Sequence, residues 1–530
     1  MLTLSVAVLL VTNCLLVGSS PTKSLLQAPQ HEPSHPSFRD ETSPIQMSNQ
    51  AQLERTIDYW TQNAQSTVER IRQRKLNKNV AKNVIMFLGD GMSISTVAMT
   101  RVYIGGEEKK LAFEQFPDIG MSKTYSVNYQ VPDSASTATA YLTGVKGNYG
   151  TIGVNAQVPA YDCEADLDTS THTHSIAKWA MDAGKDAGLV TTTRVTHASP
   201  AGVYAHTANR DRENDNEVEN DGCDKSIVQD IAHQLVHGDT GKRLKVIMGG
   251  GRREFLHKDL DPETGKKGKR KDKRNLIQEW LDLGKDIENR TYVWNKQDLL
   301  SVDSTVTDRL LGLFEPGHCQ YNLNRIRDNL EQEPTLAEMV DKATDILSKG
   351  NNGFFLFVEG GRIDHAHHDT WARLALDETA EFSKAIELAR RKFSEEDTLI
   401  VVTSDHSHAV SYAGFPARTN DIFGKAGYGS DEVPYMTISY ANGLGFYDHV
   451  SSNIGGRVNI ANMDTTSNDF RFPTMLPLDS ETHGGEDVAV YASGPWSHLF
   501  TGSYEQNTIP HMMAFALCVG DGITACPKKI

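Results

Sequence analysis

The sequence predicts an α/β fold with a large central, mostly parallel sheet and helices on both faces. Three observations support this prediction: short apolar runs recur along the chain, helical stretches such as 175–183 and 374–391 separate them, and polar or glycine residues follow them. Continuous apolar runs are typical of parallel strands buried on both faces. Ligands bind beyond the carboxyl ends of such strands. The six runs are 84–88, 189–193, 246–248, 354–358, 399–403 and 488–491.

The composition limits the class of partner. The chain has 530 residues, of which 38% are hydrophobic, so a sizeable core is available. It has 53 Lys and Arg residues and 69 Asp and Glu residues, which gives a formal net charge of -16. Proteins that bind nucleic acids hold the phosphate backbone with clustered basic residues, so this balance argues against that function. Small molecules and cations are the expected partners.

The N-terminal region predicts a secretory signal followed by a flexible leader. Residues 1–19 are an apolar run of signal-peptide length that ends in small residues. The run has no preceding Lys or Arg, so an uncleaved anchor is the alternative. Residues 20–50 are rich in Pro, Ser, Gln and His without apolar periodicity, as in flexible leaders. The C-terminus lacks the long apolar tail of a GPI signal. We therefore expect a soluble, secreted product, extracellular or luminal, with no direct membrane anchor.

The first ordered element is predicted to be an amphipathic helix within residues 51–75. Apolar residues recur there at spacings of three and four, from Ile57 and Trp60 to Val68 and Ile71. The main α/β domain is then expected over 76–408 and 480–530. The segment 409–479 between these two parts is rich in Gly, Asn and Tyr and has few helical patterns. It indicates an insertion with a small sheet of its own.

Five cysteines lie outside the signal, and an oxidising compartment permits disulfides among them. Cys518 and Cys526 could close a short loop, and Cys163 with Cys223 could close a longer one. Cys319 is then left over. The alternative is that some of these residues are buried free thiols that pack as small hydrophobic groups.

Two features predict surface loops. Asn289 begins the sequon Asn-Arg-Thr, which marks a glycosylation site in a secreted chain. The run 266–274 holds seven basic residues among nine. Such a run is usually a solvated loop, with a heparin-like contact or proteolytic nicking as sharper alternatives.

The strongest chemical signal is a cluster of acids and histidines after two apolar runs. The stretch 359–368, Glu-Gly-Gly-Arg-Ile-Asp-His-Ala-His-His, places Asp364 and His368 four residues apart. On a helix the two share one face, which suits ligands of a single transition metal. Asp405-His406-Ser407-His408 repeats the pattern after the next run. His483 alone is weaker, because a lone histidine is more often structural.

Ser134 is the candidate nucleophile. It begins a small-residue helix, Ser-Ala-Ser-Thr-Ala-Thr-Ala, where the helix dipole and free N–H groups favour an anion. A serine at that position is more often only an N-cap. No Gly-x-Ser-x-Gly elbow surrounds it, so a metal ion is the expected activator, with a second metal to stabilise the leaving oxygen. Arg210 offers a planar guanidinium that matches two phosphate oxygens.

These stretches together resemble alkaline phosphatase of the animal type. The motifs are Asp-Gly-Met at 90–92, Pro-Asp-Ser-Ala at 132–135, Thr-His-Ala-Ser-Pro-Ala at 196–201, the stretch 359–368, Asp-His-Ser-His at 405–408, and Glu-Thr-His-Gly-Gly-Glu-Asp-Val at 481–488. The similarity runs from about residue 51 to residue 526. It implies the fold of that family.

The resemblance also implies two zinc ions and one magnesium ion, with the following ligands. The first zinc would be held by Asp364, His368 and His483, the second by Asp90, Asp405, His406 and Ser134, and the magnesium by Asp90, Ser199 and Glu359. Imidazole and carboxylate suit zinc, and oxygen ligands suit magnesium. Ser134 would be the nucleophile and Arg210 the phosphate clamp. His197, Asp133, His365 and His408 would lie beside the ligands rather than on the metals.

Animal members also have an accessory calcium site, which maps onto Glu263, the Phe314 carbonyl, Glu315 and Glu333. Glu333 replaces an Asp, and its spacing from Glu315 is longer than in vertebrate members, so ordinary surface acids are the alternative. Family architecture implies a homodimer, in which the helix of 51–75 reaches the partner and the segment 409–479 forms an interfacial crown.

Three serines depart from the family pattern. Ser93 and Ser136 stand where glycine is usual, and Ser480 stands where vertebrate members often carry an acid near the mouth of the pocket. Because Ser136 lies two residues from the nucleophile, we expect it to affect the start of the helix or the rate.

The predicted function is hydrolysis of phosphate monoesters in two in-line displacements. Ser134 attacks the ester first, and a hydroxide then releases phosphate from the phosphoserine. The alternatives are a phosphodiesterase or sulfatase with the same fold, and an inactive metal-binding protein. A sulfatase needs Cys or Ser followed by x-Pro-x-Arg, a stretch that is absent from the sequence. In a diesterase, Arg210 would have little role. An inactive protein would be expected to have lost Ser134 or a metal ligand.

Overall fold

The computed structural model describes residues 49–526, apart from 260, 262, 331 and 452–455. The predicted signal peptide and all but the last two residues of the predicted leader lie outside this range. The strands in chain order are β1 (Asn83–Gly89), β2 (Asp118–Lys123), β3 (Asp186–Arg194), β4 (Val246–Gly250), β5 (Arg290–Val293), β6 (Arg309–Leu313), β7 (Phe354–Gly360), β8 (Thr398–Thr403), β9 (Ser407–His408), β10 (Val410–Tyr412), β11 (Lys425–Tyr428), β12 (Pro434–Met436), β13 (Ile438–Asn442), β14 (Val450–Ser451), β15 (Gly456–Arg457), β16 (Thr474–Leu476), β17 (His483–Gly484), β18 (Val488–Ser493) and β19 (Gly502–Glu505).

The helices lie between these strands and before them. They are α1 (Asn49–Leu53), α2 (Ile57–Arg72), α3 (Ile94–Tyr103), α4 (Ser134–Thr143), α5 (Ile176–Asp182), α6 (Ala198–Ala201), α7 (Asp215–Asn220), α8 (Ile231–His237), α9 (Arg252–Phe255), α10 (Leu276–Asp282), α11 (Lys296–Ser301), α12 (Asn322–Arg327), α13 (Leu336–Leu347), α14 (Arg362–His368), α15 (Ala372–Lys392), α16 (Gly445–His449) and α17 (Thr508–Leu517).

The predicted central sheet is confirmed. Within the described residues, ten strands form one sheet in the order β19-β2-β18-β8-β1-β7-β3-β4-β6-β5. The pairs from β8 through β1, β7, β3, β4 and β6 to β5 are parallel. β18 is antiparallel to both of its neighbours, β8 and β2. The run 488–491 therefore forms an antiparallel strand within the mostly parallel sheet, and its apolar composition could not indicate that direction.

Helices pack against both faces of the sheet, and alternate residues of β1 show the two cores. Met86 and Leu88 point to one core, with Tyr141 of α4 and Met513 of α17. Phe87 points to the other core, which includes residues of α13 and α15. Both faces of β1 are fully buried. Successive strand side chains face opposite sides, so a continuous apolar run is what a covered strand requires.

The N-terminal helix is shorter than the amphipathic pattern predicts. α2 begins after Thr56, whose side chain caps it by accepting a hydrogen bond from the Tyr59 N–H. None of its residues is buried, and the side chains of Ile57 and Val68 are 85% and 63% exposed. The apolar stripe of α2 therefore has no cover within the described part of this chain.

The segment 409–479 carries the small sheet that its composition suggests. β10, β13 and β16 form a three-stranded sheet. Its apolar side chains pack on Met99 of α3 and on Ala372 and Leu376 of α15. The insertion is thus attached to two helices of the main domain.

The cysteine prediction is confirmed: Cys163 is bonded to Cys223, Cys518 to Cys526, and Cys319 is a buried free thiol. Asn289 is exposed, and its side-chain amide donates to the Val306 carbonyl at 3.1 Å. Among the helices that the structure describes, none is both long and apolar enough to cross a membrane.

The basic run 266–274 is only partly a solvated loop. Arg270 is 1% exposed, and its guanidinium donates to the carboxylates of Asp230, at 2.9 Å, and of Asp272. Lys266, Lys267 and Lys273 remain exposed. The charge pattern does not show which member of the basic run is buried, because the buried partner of Arg270, Asp230, lies 40 residues away in the sequence.

Candidate active site

Buried carboxylates lie at one edge of the sheet, at the ends of three adjacent central strands. β1 lies between β7 and β8, and Leu88 is in register with both Glu359 and Thr403. Asp90 follows β1, Glu359 lies near the end of β7, and Asp405 comes two residues after β8. All three acids are 0% exposed. The edge is the carboxyl end of the parallel strands, as predicted.

Ser134 is the first residue of α4 and is 2% exposed. The N-cap is Asp133, whose carboxylate accepts hydrogen bonds from the N–H groups of Ala135 and Ser136 at 3.3 and 3.2 Å. The Ser136 hydroxyl also donates to that carboxylate, at 2.8 Å. The Ser134 Oγ lies 3.1 Å from the Nε2 of His406. The capping role therefore belongs to Asp133, which leaves the Ser134 hydroxyl free for other chemistry.

The ligands predicted for the first zinc lie together. Nε2 of His368 is 3.4 Å from the Asp364 carboxylate, and Nε2 of His483 is equally far from it. The two Nε2 atoms are 3.1 Å apart. Nδ1 of His368 contacts the Glu481 carbonyl at 2.5 Å, and Nδ1 of His483 contacts the Pro132 carbonyl at 2.7 Å. A carbonyl only accepts, so each Nδ1 carries the hydrogen and each Nε2 presents a lone pair.

His408 lies in the same group but in a different chemical setting. Its Nε2 is 2.7 Å from the Asp364 carboxylate, and its Nδ1 is 2.5 Å from the Glu481 carboxylate. Burial lowers the pKa of His408, but the two carboxylates outweigh it and raise that pKa to about 10. The ring is therefore a cation with both nitrogens donating. This supports a place beside the metal rather than on it.

The protein ligands predicted for the second zinc also converge. The His406 Nε2 lies 3.1 Å from the Asp405 carboxylate and 3.5 Å from that of Asp90. The Nδ1 of His406 contacts the Ser407 carbonyl at 3.2 Å, so the Nε2 lone pair faces the two carboxylates and Ser134. A lone pair facing carboxylates is repulsive unless a cation lies between them.

The residues predicted for magnesium surround Asp90. The Ser199 hydroxyl donates to the Asp90 carboxylate at 3.4 Å. Oxygen and nitrogen atoms of Asp90, Glu359 and His197 lie within 4.8 Å of one another. One carboxylate oxygen of Asp90 and one of Glu359 are buried without a hydrogen-bond partner in the structure. Buried, unpaired carboxylate oxygens fit a cation.

Arg210 lies near Ser134 because it binds Asp133, the residue before the serine. Its guanidinium donates to the Asp133 carboxylate at 3.0 Å and to the Nε2 of His197 at 3.2 Å. The backbone of Gly150 links Asp133 to Arg210. Its N–H donates to the Asp133 carboxylate at 3.0 Å, and its carbonyl accepts from the Arg210 backbone N–H at 2.9 Å. This arrangement holds the guanidinium next to the N-terminus of α4, where an anion is favoured.

The carboxylates strongly perturb one another. Burial and the nearby charges of Asp405 and Asp364 raise the pKa of Asp90 well above its usual value. Burial raises the pKa of Glu359 to about 7. So many acids crowded without counter-charge indicate cations as part of the folded site.

Sequence reasoning missed several residues that orient these groups. Glu481 accepts from His408 and from the Ala409 N–H. Thr137 donates to Asp405 at 3.2 Å, and Thr193 donates to Glu359 at 3.0 Å. Glu481 opens a recognised motif, but the threonines carry no sequence signal, because threonine is common on both strands and helices.

The residues predicted to bind calcium do not form a cluster like those predicted for zinc and magnesium. Burial raises the pKa of Glu263 and Glu315, and that of Glu333 rises to about 8. Both oxygens of Glu333 accept from the Gln320 N–H at 3.1 Å. In the described part of the chain these acids are in none of the groups of three or more metal-capable side chains. The calcium site stays a prediction.

A family model for alkaline phosphatase matches residues 81–519. The chain belongs to the alkaline phosphatase family. It is 49% identical over 491 residues to the membrane-bound alkaline phosphatase of Bombyx mori, with 89% of this chain and 87% of that protein covered. It is 47% identical to the tissue-nonspecific alkaline phosphatase of Mus musculus, with 89% and 91% covered.

Solved alkaline phosphatases share the fold. A variant of the TAB5 alkaline phosphatase, solved with Mg bound in its M3 site, is 25% identical with a TM-score of 0.58, covering 84% of this chain and 100% of that one. The Thermus thermophilus alkaline phosphatase is 23% identical with a TM-score of 0.59, covering 84% and 93%. Members of this family are phosphomonoesterases that use bound metals and a phosphoserine intermediate. The chain is accordingly an alkaline phosphatase that hydrolyses phosphate monoesters.

Proposed function

We propose that Ser134 is the nucleophile of this phosphomonoesterase and that the three convergent groups hold two zinc ions and one magnesium ion. The observation that carries the proposal is the approach of Ser134 Oγ to the His406 Nε2 at 3.1 Å, beside the carboxylates of Asp90 and Asp405. The donor sets fit the metals: Asp364, His368 and His483 for the first zinc, Asp90, Asp405, His406 and Ser134 for the second, and Asp90, Ser199 and Glu359 for magnesium. When bound, the metals supply Lewis acidity and lower the pKa of the attacking oxygen.

The protein's own residues position the phosphate for attack by Ser134. The Ser134 Oγ attacks phosphorus, the ester P–O bond breaks, and the alcohol leaves with a proton. Water then attacks the phosphoserine, releases inorganic phosphate and restores the hydroxyl. Arg210, held by Asp133, pairs with phosphoryl oxygens, and the N-terminus of α4 adds a favourable dipole. These contacts are to the phosphate, so the alcohol is expected to vary widely.

We also propose that the chain works as a secreted homodimer. The uncovered apolar stripe of α2 supports a partner contact, since Ile57 and Trp60 are 85% and 53% exposed. An ion pair joins Arg418, in the 409–479 segment, to Glu54, three residues before α2, so the start of that helix lies next to the proposed crown. Two disulfides suit an oxidising compartment.

The decisive test is hydrolysis of p-nitrophenyl phosphate by the wild type, Ser134→Ala and the control Ser170→Ala, across neutral to alkaline pH. Ser170 is exposed and belongs to none of the groups assigned to the site. Loss of activity in Ser134→Ala alone, with zinc and magnesium content unchanged on the same samples, supports the covalent mechanism. Retained activity in Ser134→Ala overturns it.

A further inference from the structure

A buried tyrosine of α4 carries a hydroxyl that the proposed mechanism does not use. Tyr141 is fully buried and lies about two turns after Ser134 on the same helix. Its phenol oxygen has no hydrogen-bond partner among the described residues. A buried hydroxyl without a partner is rare in folded proteins, because its desolvation costs free energy that no hydrogen bond offsets.

The ring of Tyr141 lies on the face of the sheet that carries the Glu359 side chain. It stacks on Phe357 of β7, with ring centroids 6.3 Å apart and an angle of 14° between the ring planes. Phe357 and Glu359 are two residues apart on that strand, so their side chains point to the same face. The phenol is therefore on the same side of β7 as the carboxylate.

The packing of α4 on α6 brings Tyr141 close to the other residues predicted for magnesium. α6 contains Ser199, whose hydroxyl donates to the Asp90 carboxylate at 3.4 Å. Gly202 directly follows α6, and a methyl group at that position would lie only 2.8 Å from the Cβ of Ala138. Ala138 precedes Tyr141 by three residues on α4, so the two helices meet most closely beside the tyrosine.

The electrostatics of Tyr141 agree with this position. Burial raises the pKa of the phenol well above its usual value, the charges of Asp405 and Glu359 raise it further, and the Ser199 hydroxyl opposes them. Ser199 is nevertheless not placed for a hydrogen bond of normal geometry with the phenol. The Tyr141 hydroxyl thus lies near the carboxylate group without bonding to it.

Unpaired acceptors lie on the same side of the site. One carboxylate oxygen of Asp90 and one of Glu359 are buried without a partner in the described part of the chain. A hydrated cation satisfies all of these groups together, because the carboxylate oxygens bind the ion while the phenol donates to one of its waters. Mg²⁺ in proteins usually keeps several waters in an octahedral shell, whereas Zn²⁺ is usually four-coordinate.

We propose that Tyr141 is a positioning residue of the magnesium group and that its hydroxyl favours Mg²⁺ over Zn²⁺ there by donating to a water that Mg²⁺ retains. The predicted protein ligands Asp90, Ser199 and Glu359 leave about half of an octahedral shell to water. A four-coordinate zinc ion in the same place holds fewer waters, so its binding leaves the phenol unpaired. This inference rests on the proposed magnesium group.

The test measures metal binding by the wild type, Tyr141→Phe and Tyr204→Phe. Each purified protein is dialysed against a fixed zinc concentration and increasing magnesium, and both metals are then quantified by inductively coupled plasma mass spectrometry. Tyr204 is the matched control, because it is a buried tyrosine of the same core whose hydroxyl already donates to the Val195 carbonyl at 2.9 Å.

For Tyr141→Phe we expect the magnesium concentration at half-occupancy to rise about tenfold or more, as for loss of other groups that orient the ligands of a metal. Additional zinc should occupy the group when magnesium is scarce. Tyr204→Phe should keep the half-occupancy concentration within about twofold of the wild type, because its hydroxyl does not face the carboxylates.

An unchanged half-occupancy concentration in Tyr141→Phe would overturn the proposal. A rise of equal size in Tyr204→Phe would also overturn it, because any buried hydroxyl of this core would then have the same effect. Equal weakening of magnesium and zinc binding in Tyr141→Phe would show that the phenol does not select between the two metals. Binding rather than turnover is measured, so a failure of Ser134 as the nucleophile leaves the result intact. If the wild type binds no magnesium, the proposed magnesium group fails, and this inference fails with it.

Discussion

The Nε2 atoms of His368 and His483 lie 3.1 Å apart, while the Nδ1 of each ring is held by a backbone carbonyl. Two lone pairs at this separation repel each other unless a cation binds between them. The rings are therefore arranged as ligands of one cation, and we expect part of the stability of the fold to depend on metal binding.

Removal of metal should destabilise the protein. Chelation with EDTA is expected to lower the melting temperature by roughly 5 °C or more, because ligands that bind only the folded state stabilise it. Differential scanning calorimetry before and after zinc and magnesium are restored measures the change. In His483→Ala the melting temperature should respond less to chelation. An equal response in that variant would show that the first zinc group contributes nothing.

Arg210→Lys should weaken phosphate binding. Lysine lacks the planar fork and cannot contact both Asp133 and an oxyanion in the same geometry. We expect the inhibition constant of inorganic phosphate to rise roughly tenfold or more. Competitive inhibition assays measure this constant, with Arg243→Lys, a partly exposed arginine paired with Asp182, as the control. If the two variants behave alike, Arg210 is not the clamp.

The two disulfides should contribute unequally to stability. Cys163–Cys223 spans 60 residues and Cys518–Cys526 spans 8. Loop-closure entropy predicts losses of about 4 and 2.5 kcal/mol respectively when each pair is replaced by serine. Urea denaturation of the two double variants provides the comparison, each serving as the control for the other. Equal losses would show that native-state contacts, not chain entropy, dominate.

Glu378→Gln should reduce the loss of stability at alkaline pH. Burial raises the pKa of Glu378 to about 8, with Asp377 and Glu381 raising it further and Arg362 and the Asn322 N–H opposing. The folded state therefore binds more protons than the unfolded state from about pH 4.5 to pH 8. Stability from this group is complete below that window and is lost as the pH rises through it.

The neutral glutamine should remove this loss while still accepting the Asn322 N–H bond. We expect the melting temperature of the wild type to fall by roughly 3 °C more than that of Glu378→Gln between pH 5 and pH 9. Glu387→Gln, on the same helix but partly exposed, is the control. Parallel melting curves for all three proteins would contradict the assignment. Glu333, with a pKa also near 8, leaves some pH dependence in every variant.

The sequence by itself determined the class of fold and most of the residues that meet at the site. Apolar runs covered on both faces predicted the central strands, and their polar ends predicted Asp90, Glu359 and Asp405 at one edge. These inferences succeed because burial and strand ends are local properties of the chain. The direction of β18 was not predictable, since an apolar run has no polarity.

Only the tertiary structure decided the chemistry of each imidazole. His368, His408 and His318 are the same residue type, yet a carbonyl, two carboxylates and an arginine respectively set their hydrogen bonds. The partners come from distant segments, so no local pattern reveals them. Whether a histidine donates, accepts or carries charge depends on what lies against each ring nitrogen, which only the packed chain determines.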